Sequence, residues 1–192
     1  MDGSRRVRHH DRLASIQTLS DAERRAVARW ALVCAERVLP LSNADETSIV
    51  AVRDAVERTR AYAEGRSTAA EEISKRFRAG SEANAATTAA GAAAARSVGQ
   101  ASAVAHMGAH ALGAAAYAAK AVSLASPERP DAVDEEIRWQ LGQLTADERA
   151  ILAQLPPLGA DASGPLGEGL LSRGVPGAAI RAIQAEIGST PV

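Results

Sequence analysis

The chain has 192 residues, of which 46% are hydrophobic and 23% charged, the size of a single domain with a core of its own. Its 22 basic and 23 acidic side chains nearly cancel, which excludes a global field drawing it to nucleic acid or anionic lipid. One cysteine, Cys34, excludes an internal disulfide and a cysteine-built zinc site.

Alanine supplies 45 residues, whereas Phe, Trp and Tyr together supply five. The core must therefore be built from small and aliphatic side chains at close approach. Twenty of the basic residues are arginine, which favours forked, planar ion pairs over point charges. Met1 to Arg12 is basic and polar, and no apolar run follows it as it would in a secretory signal. No stretch reaches the roughly 18 uninterrupted apolar residues of a membrane span. The expectation is a reduced, soluble, cytoplasmic protein that meets neither membrane nor nucleic acid.

The chain is punctuated as helices are. Ser20-Asp21-Ala22-Glu23 has capping-box spacing, so a helix opens there. It runs to about Val38, because the residue before Pro40 is pushed out of helical geometry. A second helix is expected from Asn43–Thr47 to Glu64, with Gly65 placed for a left-handed stop. Thr68-Ala69-Ala70-Glu71 repeats the capping spacing and starts a third, which Gly80-Ser81 breaks or kinks. Beyond Glu82 the alanine density hides the breaks, Gly91 and Ser97-Val98-Gly99 being the best candidates. From about Gln100 to Leu124 the pattern predicts one long helix. Helices are expected from Asp131 to Leu144 and, after the capping box Thr145 to Glu148, on to about Gln154. Pro156 to Gly174 is dense in glycine and proline and reads as a loop, and a last helix covers Pro176 to Ile187. No segment alternates over strand length.

The fold class is therefore all-α, an alanine-rich bundle of at least five helices packed as pairs. Its expected organisation is a basic N-terminal arm (1–19), a helical domain (20–155), and a loop with a C-terminal helix (156–192) packed on or appended to it.

Chemistry-bearing residues fall into two groups. On one helix, His106 and His110 would stand one turn apart, about 40° around the wheel, with Tyr117 between them in angle. That spacing can serve a metal ion, but no glutamate lies between them and no third ligand is nearby in sequence. The pair is read instead as hydrogen-bonded groups at a helix interface, and no metal is expected. On the first helix Trp30, Cys34 and Arg37 fall within about 60° of one another. A Cys34–His nucleophilic pair would lack both an orienting group and an oxyanion site, so Trp30 is read as a core anchor and Cys34 as a small apolar residue. Asp54 with Arg58 and Glu57 with Arg60 read as solvated intrahelical pairs, and Glu71, Glu72, Lys75, Arg76 and Arg78 as a charged face. No phosphate-cradling glycine loop, nucleotide fingerprint or G-x-S-x-G elbow is present, so no cofactor is expected.

Four stretches together resemble one family. Arg29-Trp30-Ala31-Leu32-Val33-Cys34-Ala35-Glu36-Arg37-Val38-Leu39-Pro40 is similar to the first helix of bacterial immunity proteins of the immunity protein 5-like type. Arg60-Ala61-Tyr62-Ala63-Glu64-Gly65 resembles the end of their second helix, with Tyr62 where Trp is more usual. Ala105 to Ala121, carrying His106, His110 and Tyr117, resembles their histidine–tyrosine helix, and Glu136-Ile137-Arg138-Trp139-Gln140 the element that follows. The resemblance implies an all-helical antidote that sequesters a toxin protein, with no chemistry of its own. The alternative reading is a small-molecule protein or enzyme of natural-product resistance or biosynthesis, with Trp30, Cys34, Arg37, His106, His110 and Tyr117 lining an interior site. The missing catalytic constellation favours the non-enzymatic reading.

Overall fold

The computed structural model describes residues 15–42, 46–75 and 86–189. The basic arm before Ser15, the start of the second helix at Asn43 and the break expected at Gly80-Ser81 lie outside them. Among the described residues there are eight α-helices: α1 (Asp21–Val38), α2 (Glu46–Ala63), α3 (Ala69–Lys75), α4 (Ala89–Ala103), α5 (His110–Ala125), α6 (Ala132–Gly142), α7 (Ala146–Leu152) and α8 (Gly174–Ser189). The same residues hold no named strand, only an isolated bridge between Asp161 and Gly167. The fold class is all-α.

Local signals set most helix ends. Ser20 Oγ accepts from the Glu23 amide while the Glu23 carboxylate accepts from the Ser20 amide, so two N-terminal donors of α1 are satisfied reciprocally. Thr68 and Glu71 make the same exchange at α3, and Thr145 and Glu148 at α7. Helix α1 gives way at Val38 to a 3₁₀ turn, Leu39–Leu41, that carries Pro40.

Helix α5 is the centre of the bundle, packed against α1, α4, α6 and α8. Ala111, Leu112, Ala114, Ala115, Ala116, Ala118 and Ala119 are all fully buried. Opposite them Ala28, Ala31 and Ala35 of α1 and Ala93 and Ala94 of α4 are equally inaccessible. Methyl-sized side chains on facing helices let axes approach toward the short end of the roughly 8–10 Å range. The approach is close enough for Ser97 Oγ on α4 to donate to the Ala114 carbonyl of α5 at 2.7 Å. Helix α8 buries Ala179, Ile180, Ile183 and Ile187 in the same apolar cluster as Trp30 and Leu112.

The long helix expected over Gln100–Leu124 is two helices. Helix α4 runs through Gly91 and Gly99 without a break, ends at Ala103, and turns at Val104–Ala109 before α5 begins. The cause lies far away in the chain. The 3₁₀ turn Ile16–Thr18 sits across this junction, and the amides of Gly108 and Ala109 donate to the carbonyls of Thr18 and Gln17, each at 3.0 Å. Those amides would be bonded within a continuous helix; here the N-terminal segment takes them. Gly108 is required at the contact, since a Cβ there would collide with the Leu19 side chain. Leu19 itself sits at φ 61°, a conformation uncommon outside glycine.

A second difference concerns Glu72. It is buried rather than part of a solvated face, and Arg58 of α2 donates to its carboxylate at 3.1 Å while also bonding Asp54. Glu57 and Arg60 pair as their spacing predicts.

Candidate functional site

The six residues singled out from sequence fall in three places. Trp30 and Cys34 are fully buried on α1. The Trp30 indole donates to the Gln140 carbonyl near the end of α6, at 2.8 Å. Burial pushes the Cys34 thiol well above its ordinary pKa, and the neighbouring Glu136 carboxylate pushes it further. A buried thiol held neutral is an inert one.

Arg37, by contrast, is exposed, and its guanidinium is engaged along one edge and one face. Its Nε donates to Glu136 Oε2 at 2.7 Å, and its guanidinium lies 4.0 Å from the centre of the Trp139 ring. Glu136 is 2% exposed, and its other oxygen accepts from Gln140 Nε2 at 2.9 Å. Gln140 in turn donates to the Ala115 carbonyl of α5 at 3.1 Å. A polar chain thus runs from α1 through α6 to α5, with each charge paired where it is desolvated. Arg37 and Glu136 also line a cavity of about 310 Å³ together with Arg129 and Glu135. Val122 and Ala125 place this cavity at the last turn of α5.

His106, His110 and Tyr117 line a different cavity, of about 370 Å³, at the opposite end of α5. Because the helix breaks, His106 lies exposed in the turn and His110 is the first residue of α5, so the one-helix pairing expected from their spacing does not form. His110 Nδ1 lies 2.8 Å from Gln100 Oε1. The contact is within hydrogen-bond distance, so Gln100 fixes the orientation of the ring. Gly113 makes room for this, since a Cβ there would run into the Gln100 amide. The facing wall is the segment from Gly164 to Leu171. Gln17 holds that segment: Nε2 donates to the Asp161 carboxylate and to the Ser163 carbonyl at 2.9 Å, while Oε1 accepts from the Leu166 amide at 3.0 Å.

Arg37 and the histidines are therefore separated along α5, a helix roughly 24 Å long at 1.5 Å per residue. Sequence reasoning passed over Glu136, Gln140, Gln100 and Gln17 as site residues. The first two were legible, because Ala132, Glu136, Ile137 and Gln140 recur as one stripe of α6 and all four are buried. Gln100 and Gln17 act only through partners distant in sequence. Among the described residues no group of three or more His, Cys, Asp or Glu side chains is placed to hold a metal ion, and no helix is long and apolar enough to cross a membrane.

The described residues form a closely packed all-helical bundle. Residues 17–147 match the family described as Imm-5 like putative immunity protein, and the chain belongs to it. No curated protein and no solved structure matches the chain.

Proposed function

We propose that this chain is a toxin-immunity protein that acts by stoichiometric binding to a partner protein, without chemistry of its own. Family membership supplies the class. The observation that carries the non-enzymatic reading is the fate of the motif residues. Trp30, Arg37 and Glu136 bond to neighbouring groups of the chain, Gln140 Nε2 does the same while its buried Oε1 has no partner among the described residues, and Cys34 is sealed and neutral. A nucleophile or general base must reach a substrate atom within hydrogen-bond distance, and the thiol, with no accessible surface, has no such route. An interior ligand site spanning all six residues also lacks support, because fully buried alanines fill the middle of the α1–α5 contact.

The test is recovery of the tagged full chain from its native host under mild crosslinking, followed by native mass spectrometry. The expected result is a one-to-one complex with a protein whose expression alone arrests growth, and relief of that arrest by co-expression of this chain. Relief without a complex, or turnover of a substrate by the purified chain, would overturn the reading. A small molecule retained in place of a protein would favour the ligand-binding alternative.

A further inference from the structure

We draw no further inference here: the strongest candidate, the cavity of about 310 Å³ at the last turn of α5, has Arg37 and Arg129 already paired with Glu136 and Glu135, and nothing in the structure shows what covers it.

Discussion

The Trp30 indole and the Gln140 carbonyl are joined by one hydrogen bond, 2.8 Å long, that crosses from α1 to α6. The same carbonyl accepts the Gln143 amide at the end of α6, so the indole caps a helix terminus while its ring fills the core. Ring and hydrogen bond are separable by mutation. Trp30→Ala should cost about 3–5 kcal/mol, the range for deleting a packed aromatic side chain. Trp30→Phe keeps much of the volume and loses the donor, and because Gln143 still satisfies the carbonyl it should cost less. Urea denaturation of the two variants checks the order; equal midpoints would show that ring volume contributes little.

Cys34 should be silent toward a thiol reagent in the native state and fully reactive once unfolded, because burial both shields the thiol and raises its pKa. The folded pKa is raised, so the contribution to stability is complete below the unfolded value of about 8.5 and is lost as pH rises beyond it. Labelling rates measured against urea should follow the unfolding transition. Rapid labelling in buffer would mean that α1 opens locally.

Glu148 should shape the acid limb of the stability profile. Burial alone would raise its pKa, but the hydrogen bonds from Arg29 and from the Thr145 amide outweigh burial and hold the carboxyl below its ordinary value. A depressed folded pKa means that the unfolded state takes up protons first. Its stabilisation is therefore complete above the unfolded value of about 4.3 and is lost as pH falls through that value toward the folded one. Glu148→Gln should be less stable at pH 7 and should lose less on acidification than the native chain. Urea midpoints between pH 7 and pH 3 test this, and parallel profiles for the two proteins would count against it.

Gln17→Ala should release the 159–171 segment. It removes three hydrogen bonds and leaves the buried Leu166 amide without its acceptor, at a cost of about 1–3 kcal/mol for that group. Hydrogen exchange should accelerate there before anywhere in α1 or α5. Uniform acceleration would indicate global destabilisation rather than loss of a local latch.

Gly108→Ala should shift Leu19 and strain the junction between α4 and α5, because the new methyl group meets the Leu19 side chain. A destabilisation of about 1–3 kcal/mol is expected for a contact of this kind, read from the denaturation midpoint. An unchanged midpoint would show that residues 15–19 can move aside.

By itself the sequence determined the helical class and the caps at Ser20, Thr68 and Thr145, each cap resting on bonds within three residues that a local pattern carries in full. It placed the end of α1 near Val38 as well, but not by the expected clash: Leu39, before Pro40, keeps helical dihedrals and opens a 3₁₀ turn. It also carried the burial of Trp30 and Cys34, since one face of α1 repeats at helical spacing. Only the tertiary structure decided the break between α4 and α5. Alanine's helical preference argues for continuity from Gln100 to Leu124, and the competing acceptors at Gln17 and Thr18 lie some ninety residues away. That break moved His106 off the helix that begins at His110. It also set the two histidines against a wall from the chain's last thirty residues, and left Arg37 at the far end of α5. Helical spacing predicts neighbours only while the helix continues, and whether it continued here depended on which carbonyl the Gly108 and Ala109 amides found.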